Sequence, residues 1–131
     1  MIVLDTHAWI WWVTDPARLG PRARAAVVAA EADQGIVVSS ISVWEIAVKV
    51  ALGKLTLDRD LRVWMAMASM YPGLSVHSLD PSDALESALL PGTFHKDPAD
   101  RLIIALARRL DSPLVTNDAA IRAYRHVKTV W

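Results

Sequence analysis

Residues 2–13, IVLDTHAWIWWV, decide the fold. Ile2, Val3 and Leu4 are consecutive apolar residues, the signature of a short buried strand. Asp5 interrupts them, and soon afterwards apolar sequence resumes in a helical pattern that runs through Val13. An acid at such a junction has two readings. It can be a helix cap that accepts hydrogen bonds from the free N–H groups of the helix behind it. It can also stand in the crevice beyond the carboxyl end of a parallel strand, where open α/β sheets gather their functional groups.

Working outward, apolar runs and helical patterns alternate to the end of the chain. RARAAVVAAEAD is helical and ended by Gly35. IVVSSI reads as a second buried strand, followed by the helix SVWEIAVKVALGK with Ser42 as its cap. DRDLRVWMAMASMY is a third helix, stopped by Pro72-Gly73. LSVHSL alternates like a strand, and PSDALESALL is a short helix with Pro81 near its start. After the loop PGTFHKDP come the amphipathic helix ADRLIIALARRL, the strand PLVTND, the helix AAIRAYRHV and a final edge, KTVW. Strands separated by helices predict one α/β domain over residues 1–131, a mostly parallel sheet with helices on both faces.

Composition narrows the class. With 53% hydrophobic and 21% charged residues the chain is too apolar to be disordered. It has no cysteine, which excludes a disulfide framework, a thiolate metal site and a thiol nucleophile. The longest uncharged stretch, VWMAMASMYPGLSV, is broken by Pro72-Gly73 and too short to span a bilayer. The expectation is a soluble cytoplasmic protein. The 14 basic residues balance the 14 acidic ones, which argues against a strongly basic, nonspecific nucleic-acid binder.

The acids are unevenly placed. Asp118 closes PLVTND as Asp5 closes the first strand, Glu45 falls in the first turn of the helix after IVVSSI, and Asp100 opens ADRLIIALA. All four are therefore predicted on one rim of the sheet. Each has a plainer reading taken alone: an ion pair of Glu45 with Lys49, first-turn acids at Asp97 and Asp100, a cap at Asp118. The helix around Glu45 is apolar at nearly every other position, which predicts that it is mostly buried and that the carboxylate needs a charge partner or a metal. Four carboxylates on one rim repel one another unless a divalent cation neutralises them. All-oxygen ligation favours Mg²⁺ or Mn²⁺, and the chemistry that follows is metal-assisted phosphodiester hydrolysis. Setting those four aside leaves 10 acids against 14 bases, a modest basic surround suited to a phosphate-bearing polymer.

LDTHAWIWW, SSISVWEIAVKVALGKL, FHKDPADRLIIALA and LVTND together resemble the PIN domain, in the branch of VapC-type ribonuclease toxins of type II toxin–antitoxin pairs. The resemblance runs from Met1 to the final strand. It implies a five-stranded parallel sheet, a homodimer, and a Mg²⁺- or Mn²⁺-dependent endoribonuclease acting on transfer or ribosomal RNA. It also implies a small cognate antitoxin whose C-terminal segment covers the active-site groove. Asp5, Glu45 and Asp100 match the family's three metal-pocket acids, and Asp118 the more variable fourth. DPAD offers Asp97 as well as Asp100; the first-turn position favours Asp100, with Asp97 or His95 left to contact a ligand or fix the loop. Thr6 and Thr116 fall to orienting carboxylates. His7 is a weaker candidate, as a general base, and Trp9, Trp11 and Trp12 are base-stacking platforms, core, or contact surface for a partner.

Three other readings compete. A haloacid-dehalogenase-like phosphatase needs a second aspartate where this chain has His7, and a response-regulator receiver needs a phosphoacceptor aspartate where IVVSSI supplies serines. A non-catalytic dimeric module that binds an antitoxin or a DNA-binding partner predicts a function that survives loss of all four acids.

Overall fold

Strands buried on two faces must be apolar at every position, because successive side chains enter opposite cores. In the computed structural model, which describes residues 1–131, β1 (Ile2–Leu4), β2 (Ile36–Ser39), β3 (Leu74–His77), β4 (Leu114–Val115) and β5 (Thr129–Val130) form one sheet. Their order is β3-β2-β1-β4-β5, and every pairing is parallel. Val3 lies beside Val37 on one flank and Leu114 on the other. The two cores divide the strands as the pleat requires. Ile2, Leu4, Ile36, Val38 and Val115 enter the first, and Val3, Val37 and Leu114 enter the second.

Helices α1 (Thr6–Thr14), α2 (Pro21–Ala32) and α4 (Leu61–Ser69) cover the first face, with Ile46 from α3 (Ser40–Ala51). Helices α6 (Pro98–Arg109) and α7 (Ala119–Ala123) cover the second, and α5 (Pro81–Ala88) packs on α6. This is the α/β architecture that the alternation of the sequence predicts. From β1 the chain moves outward to β2 and β3, then returns to place β4 on β1's other side. The order reverses between β1 and β4, so the functional crevice of such a sheet opens above that pair.

Three of the six tryptophans are core. Trp9 and Trp64 are fully buried with ring centroids 6.1 Å apart, and the Trp9 indole donates to the Ala68 carbonyl at 3.3 Å. Trp12 is buried edge-on to Tyr71, whose hydroxyl donates to the Val13 carbonyl. Trp11 alone of the α1 trio reaches outward, under the Arg18 guanidinium.

Several predicted boundaries move. The left-handed residue after α2 is Gln34 (φ 53°), not Gly35. Ser39, rather than Ser42, caps α3 by accepting from the Ile41 N–H. Glu45 consequently lies beyond the first turn, and Ser42 turns inward. Asp60 caps α4, so that helix starts at Leu61. α7 stops at Ala123 because Tyr124 leaves the helix to join the second core. Nor is α3 mostly buried: only Ser42 and Ile46 are, and Trp44 is 58% exposed.

One ion pair fastens α5. Asp83 is buried and takes both oxygens to Arg109, Oδ1 to Nε at 2.6 Å and Oδ2 to Nη2 at 3.0 Å. Such a two-point bond is geometrically specific as well as charge-assisted. Asp83→Ala is therefore expected to cost about 2 kcal/mol, read as a lower urea midpoint with an unchanged slope.

Candidate active site

The rim above β1 and β4 begins with Asp5, which is only 4% exposed. Its backbone N–H still belongs to the sheet, donating to Val115 O at 3.0 Å. Its side chain ends the strand and caps α1: Oδ1 accepts from the Thr6 N–H at 2.8 Å. Oδ2 accepts from the Thr116 hydroxyl at 2.7 Å. Thr116 Oγ1 in turn accepts from the Asp118 N–H at 3.0 Å, and Asp118 Oδ1 caps α7 at the Ile121 N–H, also 3.0 Å. A single buried hydroxyl thus joins the ends of β1 and β4 and sets Asp118 relative to Asp5.

Thr6 does the same toward β2. Its hydroxyl donates to Glu45 Oε1 at 2.5 Å and lies 2.8 Å from the Ser42 hydroxyl. Thr6 has one proton to give, so with Glu45 ionised Ser42 is the donor of that second bond. Ser42, fully buried, was read in the sequence as a cap; its place in this chain depends on tertiary contacts that no local pattern carries. The plainer reading of Glu45 as an ion pair with Lys49 is not realised, the Thr6 hydroxyl being Glu45's partner.

At the start of α6 the two aspartates of DPAD separate. Asp97 is exposed and caps the helix, its Oδ1 accepting from the Asp100 N–H at 3.1 Å. Asp100 is half-buried and turned toward the rim. His95 Nδ1 accepts from the Asp97 N–H, so its proton sits on Nε2, 3.2 Å from Asp100 Oδ2. His7 follows the same pattern. Its Nε2 accepts from the Asn117 N–H at 3.0 Å, which puts the ring proton on Nδ1, 3.5 Å from Asp5 Oδ2. That leaves His7 no free lone pair, and burial lowers its pKa; the general-base reading fails, and the ring instead braces the loop after β4 against α1. Asn117, which supplies the bond, carried no signal in the sequence beyond a polar turn.

The basic surround is less free than counting suggests. Arg101 is spent on the loop before α6, donating to the carbonyls of Ser87 at 2.7 Å, Phe94 at 3.1 Å and His95 at 3.2 Å. Arg109 is held by Asp83 and Arg108 by the His126 carbonyl.

The electrostatics show that the acids share one neighbourhood. Burial pushes the Asp100 carboxyl up to about 7, helped by the charges of Asp5, Asp97, Glu45 and Asp118. Burial also raises Glu45, against the Thr6 hydroxyl bond that lowers it. As placed, no three of these groups form a ready-made ligand cage. The donors nevertheless suit a hard cation. Glu45 Oε2, Asp100 Oδ1 and Asp118 Oδ2 have no hydrogen-bond partner within the protein, and a divalent charge removes the repulsion that raises Asp100.

The PIN-domain family model matches residues 2–127. This chain belongs to the PIN-domain family. It is VapC-like: ribonuclease VapC22 of Mycobacterium tuberculosis is 33% identical over 132 residues, spanning 99% of this chain and 98% of that protein. Solved structures with the same fold include VapBC2 from Rickettsia felis bound to a fragment of promoter DNA, with TM-score 0.70, 15% identity, and 98% and 97% of the two chains covered. DNA-bound VapBC from Salmonella typhimurium gives TM-score 0.68 at 20% identity, over 98% and 97%. FitAcB from Neisseria gonorrhoeae gives 0.65 at 22%, over 98% and 96%. In this PIN domain, the acids of the rim are the residues that the family resemblance selects from sequence.

The raised Asp100 fixes the sign of a pH effect. Unfolding releases the Asp100 proton between about pH 4 and 7, so this group's contribution to stability falls as pH rises through that window. Metal-free Asp100→Asn is expected to melt above the parent at pH 8, with the gap closing toward pH 4. Thermal melts in EDTA at the two pH values read it directly.

Proposed function

We propose that this chain is a Mg²⁺- or Mn²⁺-dependent endoribonuclease, the toxin of a toxin–antitoxin pair, acting on cellular RNA in the cytoplasm. The observation that carries this reading is the convergence of Asp5, Glu45, Asp100 and Asp118 on one rim, close enough that each of the other three raises Asp100. Its relative by sequence bears the name ribonuclease.

In this reading the four carboxylates hold the cation, which when bound supplies positive charge at the scissile phosphate and acidifies water. The protein's own contribution is orientation. Thr116 fixes the Asp5 carboxylate and the Asp118 backbone, Thr6 fixes Glu45, and Asp97 fixes the first turn that carries Asp100. Asp97 is thereby a positioning residue and Asp100 the ligand. Burial of Asp5, Thr6, Ser42 and Thr116 keeps water from competing for those hydrogen bonds.

A protein partner belongs to the same proposal. Exposed Trp44 next to Glu45, and a cleft between α3 and α4 lined by Val43, Ala47, Leu61 and Met65, offer apolar surface at the site's edge for a cognate antitoxin segment. Val76, Leu79, Leu85 and Leu89 are exposed around the unpaired edge of β3 and α5, which supports a homodimer contact on that side.

Antitoxin-free protein incubated with total cellular RNA and Mg²⁺ or Mn²⁺ is expected to give discrete cuts, abolished by EDTA and by Asp5→Asn. Absence of cutting by folded protein would favour the non-catalytic interaction module. Thr116→Val keeps the shape but breaks the link between Asp5 and Asp118. The folded variant's cleavage rate or its Mn²⁺ affinity is expected to fall about 10- to 100-fold, and its melting temperature to fall as well, because Asp5 Oδ2 and the Asp118 N–H lose their partner.

A further inference from the structure

Beside the acid rim lies a second, oppositely charged feature. The last residue of the chain, Trp131, follows β5 and therefore emerges on the same carboxyl edge as Asp5 and Thr116. Its ring stands 5.8 Å from His7 and 5.6 Å from Trp11, centroid to centroid. His7 in turn lies 3.5 Å from Asp5, so the aromatic group reaches the acids through one intervening ring. One edge of the indole rests on bare backbone: a Cβ on Gly20 would come within 2.8 Å of Trp131 Cδ1 and 2.6 Å of its carbonyl carbon. A polar cleft of about 480 Å³ opens on the other side, lined by Arg22, Ala119, Arg122, Ala123, Thr129 and Trp131.

Arg101, Arg108 and Arg109 have donors engaged by carbonyls or by Asp83, whereas neither Arg22 nor Arg122 has a carboxylate partner. Arg62 is unpaired as well, but it lies on the cleft between α3 and α4; Arg22 and Arg122 line one cleft together with Trp131. Arg122 makes one long contact, 3.5 Å from Asn117 Oδ1, and Asn117 is the residue bonded to His7. Two unpaired guanidinium groups and an indole around a cleft of this size match the needs of a nucleotide: cations for a phosphate, an aromatic ring for a base.

We propose that this cleft holds one nucleotide of a single-stranded RNA segment next to the scissile bond, its phosphate between Arg22 and Arg122 and its base against Trp131. The inference rests on the nuclease reading for the identity of the strand, and it adds where that strand leaves the acids. Arg22 comes from the start of α2 and Arg122 from α7, and β5 packs on α2, so the cleft draws its lining from elements on both faces of the sheet. The repulsive acids and the attractive arginines then act in sequence along one strand. The scissile phosphate is drawn to the rim only with its cation, while the neighbouring phosphate is held without one.

The test uses a fluorescein-labelled single-stranded octaribonucleotide of random sequence and the full chain in EDTA, so that binding is read without cleavage. Anisotropy titrations over about 50–200 mM salt are expected to give weaker binding for Arg22→Ala and for Arg122→Ala, each lowering the salt slope by about 0.7. Lys54→Ala, an equal loss of charge at the far end of α3, is expected to match the parent. Trp131→Phe is expected to bind as the parent does and Trp131→Ala about tenfold more weakly. Arginine variants that bind like Lys54→Ala overturn the cleft, as does equal arginine-dependent binding of a double-stranded DNA of the same length. Cleavage of total cellular RNA with Mg²⁺ is scored separately. Cutting of that RNA together with octamer binding that does not need the arginines removes the cleft and leaves the nuclease reading, whereas arginine-dependent binding without any cutting removes the nuclease reading.

Discussion

The Thr116 hydroxyl has one proton, and it goes to Asp5. Because Thr116 is fully buried, water does not replace that bond, and the carboxyl ends of β1 and β4 are held in one arrangement. Everything functional on the rim is referred to this pair. Asp118 is placed through the lone pair that Thr116 has left, His7 leans on Asp5 while gripping Asn117, and Trp131 packs on His7 in turn. The sheet order explains why the link falls here. β1 and β4 are neighbours across the point where the strand order reverses, and no connecting helix crosses over their ends.

The rim is expensive for the fold. Asp5 is buried, Glu45 and Asp100 are half-buried, and burial, with the charges of the neighbouring acids, raises the Asp100 carboxyl. Nothing in the hydrophobic cores needs them there: both cores close around Ile, Val, Leu and Trp without including a charged group. An arrangement that adds nothing to packing accords with the proposed site rather than with a scaffold. By contrast Asp83, as buried as Asp5, is fully answered by Arg109 and belongs to the scaffold.

How much of this was legible follows from the range of each interaction. The central strands are readable because burial on two faces leaves a continuous apolar run, and Asp5, Asp100 and Asp118 because each stands at a strand or helix end, whereas Glu45 is marked only by being the one acid in an apolar helix. What the sequence left open was tertiary. Whether the first serine that can cap α3 is Ser39 or Ser42 depends on the exact end of β2, and an error there displaced Glu45 from the second turn to the first. The short helix α7 was overextended because Tyr124 fits a helical pattern equally well; its burial in the second core ends the helix. The basic surround was overcounted for the same reason. A sequence shows that Arg101 is charged but not that its donors are used by the loop before α6.

The choice between helix cap and functional acid, posed by Asp5, was a false alternative. A carboxylate has two oxygens and about four lone-pair directions, and capping uses one of them. Asp5 caps α1 with Oδ1, Asp118 caps α7 with Oδ1, and each retains acceptor capacity toward the rim. Capping in fact helps. It fixes the side-chain torsions of a group that a flexible surface would leave mobile. Asp97 and Asp100 divide the same work between two residues, one capping and one facing inward. In a sheet of parallel strands every helix that follows a strand begins on the functional rim. The positions that best cap such helices are therefore also the positions best placed to gather acids around a cation.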